Sequence, residues 1–454
     1  MAPVSRRHFF FGALLAGAVP AGGFGSAKSL RHLGFKSPCE KLNIAAIGAG
    51  GKGVSDIAGC QGENIVALVD PDEKRAEKTF KAYPQLPKYK DFRRMFDAEK
   101  SIDAVLVSCP DHVHATAAMW AMERGKHVYC QKPLTRTVWE ARQLELAAAK
   151  YGVATQMGNQ GYSQPGAREA CEIVWNGDIG NVTQVYAWTN RPDPYWPQGP
   201  EVVPEEKPVP ATLDWEAWQA GTEHRPYSPA YVPHNWRAFP DYGCGAIGDM
   251  ACHILGTPNM ALRLANPTGV ECIKLEGKAK YTFPYRTAIR FDFPARGAFP
   301  PVQVFWYDRM TAQPKIEGVP EGELLGDKDI NGSLFVGDKG MLTTGCYGQR
   351  TRLVPASKMQ DYQLPPPLLT RSPGSNHDWV RAHYRDWIRA CKGGDPACSN
   401  FSIAGPFVQW MQLGTIAMRV EGKLMWDAQA MRFTNSEAAN ALLKPRFRKG
   451  WKFA

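Results

Sequence analysis

The sequence predicts an α/β fold whose first domain is built around a βαβ unit, and three observations lead to this prediction. An apolar strand is expected over Lys41 to Ile47, and the loop Gly48-Ala49-Gly50-Gly51-Lys52-Gly53 follows it. A helix is expected to begin near Val54, and the next apolar strand, Ile65 to Val69, ends at Asp70. A strand, a glycine-rich loop, a helix and an acid at the next strand's end are together typical of a dinucleotide-binding Rossmann domain.

The glycine-rich loop has the residues needed to hold a pyrophosphate. Gly48 permits a tight turn, Gly50 lets the backbone approach the phosphates, and Gly53 allows close packing of the helix. The N-terminus of that helix attracts the phosphate charge. A carboxylate at Asp70 would accept from ribose hydroxyls and repel a 2′-phosphate, which favours NAD over NADP. The alternative is a glycine-rich turn with an unrelated surface aspartate.

Polar residues follow three further predicted strands, Ala104 to Val107, His127 to Cys130 and Ala154 to Met157. These loops lie at the carboxyl ends of parallel strands, where ligands bind in an open α/β sheet. Lys132 is followed by Pro133, whose restricted backbone would hold the ammonium in place to donate to a substrate hydroxyl or take up its proton. An ordinary surface lysine is the alternative on spacing alone.

A second domain is expected to begin near Gly161, with strands at 182–189, 270–275, 287–292, 302–307, 333–336 and 340–344. A Pro-rich loop, Asn190 to Leu213, carries Arg191, Tyr195 and Trp196, and more aromatic residues follow it. These rings suit stacking on sugar faces, or they pack an irregular loop onto the domain. Helices are expected over 165–175, 246–262, 377–391 and 406–420, with Asn376 as a cap.

Asp249 and His253 are four residues apart in the predicted helix 246–262 and would project from one face. Such a pair is either an acid/base pair or a buried structural pair, and the spacing leaves both readings open. Metal binding by these residues, or by His112 and His114, is not expected, because two ligands do not make a site.

Four motifs resemble successive motifs of the glucose-fructose oxidoreductase, inositol dehydrogenase and rhizopine-catabolism (Gfo/Idh/MocA) family, over about residues 41 to 430. They are the glycine loop, Pro110-Asp111-His112-Val113-His114, Val128-Tyr129-Cys130-Gln131-Lys132-Pro133-Leu134 and Gly248-Asp249-Met250-Ala251-Cys252-His253. The resemblance implies a Rossmann domain followed by an α/β domain with a large open, mostly antiparallel sheet. It also implies NAD, sugar or cyclitol substrates bound between the domains, and a homo-oligomer.

The resemblance also implies the roles of individual residues. His253 would be the general base for the oxidised hydroxyl, Asp249 would position the substrate, and Lys132 would lie opposite this pair. The family's Glu-Lys-Pro stands here as Gln131-Lys132-Pro133, so the carboxylate beside the lysine is missing. The predicted cofactor-binding residues are Gly48, Gly50, Gly51, Lys52, Gly53, Asp70, Ser108, Asp111, His114, Gln131, Lys132 and Asn159; the predicted substrate-binding residues are Gln160, Arg191, Trp236, Arg237 and Tyr242.

The first residues indicate export. Ser5-Arg6-Arg7-His8-Phe9-Phe10 matches a twin-arginine signal, an apolar run too short for a permanent anchor follows, and cleavage is expected after Ala27. The predicted organisation is a signal peptide (1–27), a linker (28–40), the NAD-binding domain (41–160), the substrate-binding domain (161–430) and a basic tail (431–454). The twin-arginine route carries folded proteins, so a periplasmic protein would carry its NAD with it.

Three functions are consistent with these observations. The first is an NAD-dependent oxidoreductase that oxidises a sugar or glycoside hydroxyl at C3 to a 3-keto product and recycles its cofactor. The second is a redox-neutral NAD-dependent glycosidase that works by oxidation, elimination, water addition and re-reduction. The third is a non-catalytic sugar-binding protein. The formal charge of +10 does not indicate a nucleic-acid partner, because no basic stripe with interleaved aromatics occurs.

Overall fold

The computed structural model describes residue 36 and residues 39–451. The twin-arginine motif and the predicted cleavage site lie outside the described residues. Within the described part, the chain forms two sheets with helices packed on them.

The first sheet has six strands in the order β3-β2-β1-β4-β5-β6, and every neighbouring pair is parallel. Its strands are β1 (Asn43–Ile47), β2 (Asn64–Val69), β3 (Lys88–Tyr89), β4 (Ala104–Val107), β5 (His127–Gln131) and β6 (Thr155–Gly158). The helices between them are α1 (Lys52–Gly59), α2 (Glu73–Ala82), α3 (Phe92–Ala98), α4 (Asp111–Met122) and α5 (Val138–Tyr151). The strand order reverses between β1 and β4, so a ligand-binding crevice is expected at their carboxyl ends. The predicted Rossmann domain is confirmed.

The second sheet has nine strands in the order β13-β12-β11-β7-β10-β9-β8-β14-β15. Its strands are β7 (Val182–Trp188), β8 (Gly269–Glu276), β9 (Arg286–Phe293), β10 (Val302–Tyr307), β11 (Gly332–Gly337), β12 (Met341–Thr344), β13 (Arg352–Val354), β14 (Leu424–Asp427) and β15 (Arg432–Phe433). β7 and β10 pair in parallel, and the other neighbours are antiparallel. The predicted mostly antiparallel sheet is therefore also confirmed.

The remaining helices connect or cover this sheet. They are α6 (Pro165–Asn176), α7 (Trp215–Gln219), α8 (Cys252–Ile254), α9 (Gly256–Ala261), α10 (Ser375–Cys391), α11 (Phe401–Ala417) and α12 (Glu437–Asn440). On α11, the fully buried ring of Trp410 packs edge-on against Phe291 and Phe293 of β9, with centroid distances of 5.2 Å to each. The same helix contacts α5, where Gln409 donates to Glu145 at 2.7 Å. One apolar core therefore joins the two sheets.

Three predicted details of the helices are wrong. The helix expected over 246–262 is divided into a π-helical turn (Ile247–Ala251), α8 and α9. Asn376 is not a cap, because Gly374, with a φ of 76°, precedes the helix and Asn376 lies within its first turn. The helix expected to start at Pro406 begins at Phe401, where Asn400 accepts from the Ser402 amide.

The basic C-terminal segment packs onto the protein, whereas the sequence indicates only a basic tail. The Trp451 ring is 94% buried and lies edge-on to Phe92 at 5.8 Å, and the Arg93 guanidinium lies 3.7 Å from its centroid. Arg448 Nε donates to the Ala220 carbonyl oxygen at 2.9 Å. Residues 441–451, the C-terminal arm, therefore join the first domain to the segment around α7.

Candidate active site

A single cleft of about 630 Å³ lies at the carboxyl ends of the parallel strands, between the two domains. The glycine-rich loop and Asp70 line one part of it, and Lys132, Asp249 and His253 line another. The predicted cofactor loop and the predicted catalytic residues are thus walls of one space.

The geometry of the loop requires glycine. Gly48 has a φ of 89°, and a Cβ there would lie 2.6 Å from the Ser108 carbonyl carbon. A Cβ at Gly53 would lie 1.8 Å from the Gly48 carbonyl oxygen. The loop therefore turns tightly into α1 and presents its backbone to the cleft, as a pyrophosphate cradle must. These residues fit NAD.

Asp70 is held at the end of β2 by the backbone. Its Oδ2 accepts from the Gly50 amide at 2.9 Å, and its Oδ1 accepts from the Asp72 amide at 3.0 Å. Burial raises the pKa of this carboxyl to about 6, although both hydrogen bonds lower it. Arg75, which belongs to no predicted motif, lies across the loop, with Nη2 2.7 Å from where a Gly51 Cβ would be. A cation therefore lies over the predicted diphosphate site.

Lys132 and Arg237 converge on Asp249. Lys132 Nζ donates to Asp249 Oδ1 at 2.7 Å and to the Asp249 carbonyl oxygen, and Arg237 Nε donates to the same Oδ1 at 3.1 Å. Burial would raise the pKa of Asp249, but Lys132 and Arg237 hold it well below its usual range. An ammonium has three donors, so two are used by Asp249 and one is left for a ligand.

His253 lies in the wall of the cleft and is 94% buried. Burial, helped by the charge of Lys132, holds its pKa well below the ordinary value, so the imidazole is neutral. Its Nδ1 is buried without a hydrogen-bond partner among the described residues. The ring of Tyr347 lies 4.7 Å from it, and Trp379 of α10 lies 5.3 Å beyond Tyr347. Both aromatic residues line the cleft and were missed, because only the tertiary fold brings them there.

Asp111 is a second carboxyl beside this cluster. It lines the cleft and is 4% exposed. Burial raises its pKa to about 7, against the lowering effects of Arg237 and Lys132. This carboxyl can therefore hold or release a proton near neutral pH.

Most of the predicted site residues line the cleft, and four do not. Those in the lining are Gly48, Gly50, Gly51, Lys52, Asp70, Ser108, Asp111, Gln131, Lys132, Gln160, Arg191, Trp236, Arg237, Asp249 and His253. Gly53 lies behind the turn in α1. The ring nitrogens of His114 lie 2.7 Å from the Pro133 carbonyl oxygen and 2.8 Å from that of Cys109, which fixes the two loops to each other. Asn159 is fully buried.

His112 and Tyr242 lie in an aromatic cluster beside the cleft. It contains Trp196, Trp215, Trp218, Tyr227, Tyr231, Trp236, Phe239 and Tyr242. The Tyr242 ring lies 4.9 Å from Trp218 and 5.1 Å from His112. Most of these rings pack on each other, and Trp218 and Trp236 are the members that also line the cleft. Packing of the irregular loop is thus the main role of the aromatics.

The irregular loop after β7 pairs with the segment of the Rossmann domain that follows Asp70. The Glu73 amide donates to the Thr212 carbonyl oxygen at 3.0 Å, and the Asp214 amide donates to the Pro71 carbonyl oxygen at 2.8 Å. Leu213 and Asp72 form an isolated antiparallel bridge between them. We call residues 212–214 the clasp, because they pair with the segment that follows Asp70, the carboxylate predicted to bind the ribose.

Residues 36 and 39–451 contain no group of three His, Cys, Asp or Glu side chains that could hold a metal ion. None of the helices described between residues 39 and 451 combines the length and apolar character needed to cross a membrane.

Two family models match this chain. Residues 42–159 match the model described as "Oxidoreductase family, NAD-binding Rossmann fold", and residues 181–274 match "Oxidoreductase family, C-terminal alpha/beta domain". The first match confirms the prediction of NAD as the cofactor.

Known proteins resemble the chain in parts of their sequences and in fold. An inositol 2-dehydrogenase of Serratia proteamaculans is 28% identical over 33% of this chain and 46% of that protein. A glycosyl hydrolase family 109 protein of Solibacter usitatus is 29% identical over 36% of this chain and 41% of that protein. The chain thus spans less than half the length of these curated relatives. The WlbA dehydrogenase of Bordetella pertussis, solved with NADH and UDP-GlcNAcA, shares the fold with a TM-score of 0.59 at 13% identity, covering 86% of this chain and 99% of that one.

Proposed function

We propose that the chain oxidises a hydroxyl of a sugar or glycoside with bound NAD, because residues 42–159 and 181–274 match two family models of the Gfo/Idh/MocA oxidoreductases. The observation that carries this proposal is the cluster of Lys132, Asp249 and His253 in a cleft continuous with the glycine-rich loop. Relatives named inositol 2-dehydrogenase and levoglucosan dehydrogenase support a polyhydroxylated substrate.

The residues of the cleft are suited to removing the hydroxyl proton. NAD, when bound, accepts the hydride from the carbon that carries the hydroxyl. His253 takes the hydroxyl proton, because its neutral imidazole has a free lone pair. The remaining donor of Lys132 stabilises the developing oxyanion, and Asp249 and Arg237 hold that ammonium in position. We place the oxidised hydroxyl at C3, which gives a 3-keto product.

We further propose that the protein is exported to the periplasm with its cofactor bound and recycles it there. The twin-arginine motif supports export, and the clasp beyond Asp70 supports retention of the dinucleotide. The test is to denature the purified, extensively dialysed protein and to look for NAD(H) in the supernatant. A supernatant without cofactor contradicts retention. Export is tested by fractionating cells that express the chain and its Arg6→Lys, Arg7→Lys variant.

A redox-neutral glycosidase is the second candidate, and two observations favour it. A relative is named as a glycosyl hydrolase family 109 protein, and Asp111 offers a carboxyl of pKa about 7 in the same cleft. Oxidation at C3 acidifies the C2 proton, so the glycosidic bond can break by elimination. Water addition and re-reduction then restore the sugar and NAD, and Asp111 can exchange the proton that the elimination requires.

Product analysis separates these functions. Purified protein is incubated with a panel of glycosides without added NAD, and the products are identified by mass spectrometry. A 3-keto product supports the oxidoreductase, whereas released aglycone with intact sugar supports the glycosidase. If no glycoside is converted by wild-type protein that contains NAD, both proposals are wrong and sugar binding without catalysis remains.

A homo-oligomer is also proposed. The nine-stranded sheet has a half-buried aromatic pair, Tyr186 and Phe305, stacked at 5.0 Å, which supports association through this sheet. Light scattering measures the mass in solution. A monomeric mass at micromolar concentration contradicts this proposal.

A further inference from the structure

The missing carboxylate beside Lys132 is replaced in space by a carboxylate from another element. Gln131 stands where the family motif has glutamate. Its Nε2 donates to both carboxylate oxygens of Asp56, at 2.9 Å each. Asp56 lies on α1, in the helix that follows the glycine-rich loop, and is completely buried.

Four residues from different parts of the fold donate to the Asp56 carboxylate. Besides Gln131, it accepts from Ser108 Oγ at 2.5 Å and from the Tyr384 hydroxyl at 2.6 Å. Lys52 Nζ forms an ion pair with it at 2.8 Å. A buried carboxylate is stable only when it is paired and hydrogen-bonded, and these four groups meet that requirement.

The donors that Asp56 holds face the cofactor part of the cleft, although Asp56 itself does not. Lys52, Ser108 and Gln131 all line the cleft, next to the glycine loop and Lys132. Tyr384 belongs to α10, so the network also connects the second domain's helices to the Rossmann domain.

Gln131 and Asp56 form a matched pair. Glutamate at position 131 would bring a second carboxylate to within hydrogen-bonding distance of Asp56, and two such charges repel each other strongly when buried. Glutamine instead turns a donor toward Asp56. One carboxylate is therefore present directly behind Gln131, and it comes from a different position in the sequence than in the family motif.

We propose that Asp56 is a positioning residue for the oxidoreductase reaction. It supplies from α1 the carboxylate that the Gln-Lys-Pro motif lacks, and it fixes Lys52, Ser108 and Gln131 where they meet NAD. This inference rests on the proposed function for its catalytic consequence, and its consequence for cofactor binding is independent of the sugar.

A charge-relocation series tests the inference. The variants are Asp56→Asn, Gln131→Glu and the double variant, in which the carboxylate moves to the family's position. The readouts are the dissociation rate of NADH, followed by its fluorescence, the melting temperature, and kcat and KM for any glycoside that the wild type converts. Asp308→Asn is the matched control, because Asp308 is also buried and accepts from Thr287 in the second sheet, outside the cleft.

Each single variant is expected to release NADH about tenfold faster, which corresponds to the loss of one charge-assisted hydrogen bond. The double variant is expected to return to within about threefold of the wild type, because the two changes act on one pair. The control is expected to leave NADH release unchanged, whatever its effect on the melting temperature. A purely structural role would lower the melting temperature of Asp56→Asn without this recovery.

Two results overturn the inference. One is a rate of NADH release in Asp56→Asn within about twofold of the wild type, because so small a change does not correspond to the loss of a charge-assisted hydrogen bond. The other is a double variant as impaired as the worse single variant. If Asp56→Asn does not fold, the double variant decides: recovery of folding and NADH retention supports the inference, and a second failure to fold refutes it. NADH release needs no sugar, so a wild type that converts no glycoside defeats the proposed function and leaves this test in force.

Discussion

Replacing Asp249 by asparagine removes the negative charge that holds two cations together. The Asp249 carboxylate accepts from Lys132 at 2.7 Å and from Arg237 at 3.1 Å through the same oxygen. Asparagine keeps the size of the side chain, so the change is one of charge. We expect Asp249→Asn to lose both stability and turnover.

The size of the stability loss follows from the burial of the pair. Removing one partner of a fully buried ion pair costs about 3 to 5 kcal/mol. The side chains of Lys132 and Asp249 are 16% and 13% exposed, and Lys132 keeps its hydrogen bond to the Asp249 carbonyl oxygen. We therefore expect a loss of about 2 to 3 kcal/mol in the free energy of unfolding at pH 7.

The same loss should depend on pH. Lys132 and Arg237 outweigh burial and hold the pKa of Asp249 well below its usual range in the folded state. A depressed carboxyl pKa contributes stability above the unfolded value, about 4, and that contribution disappears as the pH falls through the folded value. The difference between wild type and Asp249→Asn should thus be largest at neutral pH and shrink in acid.

Urea unfolding at several pH values, followed by tryptophan fluorescence, measures this difference. Asp241→Asn is the control, because Asp241 pairs with Arg225 at 2.6 Å but the two side chains are 44% and 46% exposed. Such an exposed pair is worth less than about 1 kcal/mol. If Asp249→Asn is as stable as this control at pH 7, or if its deficit does not shrink in acid, the charge coupling described for the site is wrong.

Three further predictions concern catalysis, cofactor choice and the C-terminal arm. Lys132→Met and His253→Ala should each lower kcat by about 100-fold or more, and NADH titration should show unchanged affinity for His253→Ala; unaltered turnover in both variants would remove both residues from the mechanism. Asp70→Ser should raise the affinity for NADP relative to NAD, since the repulsive carboxylate is gone, and an unchanged ratio in fluorescence titrations would contradict its role. Trp451→Ala should lower the free energy of unfolding in urea by about 3 kcal/mol and speed NADH release, because removal of the buried ring leaves a cavity between the arm and α3. Wild-type stability in this variant would show that the arm does not stabilise the fold.

The sequence was most informative for features that depend on residues close to one another in the chain. The turn at Gly48 to Gly53 and the acid at Asp70 depend on neighbouring residues, and the strands around them match the prediction to within about two residues. Lys132, Asp249 and His253 are brought to one cleft as the family resemblance implies, although their catalytic roles stay predictions. The helix expected over 246–262 was wrong because the π-helical turn depends on tertiary packing rather than on periodicity.

The features that the sequence did not reveal are those made by distant residues. Asp56 looks like an ordinary helical acid, and only the approach of Gln131, Ser108 and Tyr384 gives it a role. Tyr347 and Trp379 belong to no motif and reach His253 through the fold. In the sequence, the packed C-terminal arm looks like a solvated basic tail, because its one buried tryptophan stands among basic residues.

The C-terminal arm makes the cleft depend on residues that are distant in the sequence. Its residue Arg448 donates to the carbonyl oxygen of Ala220, directly after α7. Ala217 and Trp218 of α7 form part of the cleft wall. A segment 228 positions further along the chain therefore supports a wall of the first domain's ligand cleft. The wall around Ala217 and Trp218 thus takes its final form only when these distant residues pack against it, and a contact of such high sequence separation is expected to form late in folding.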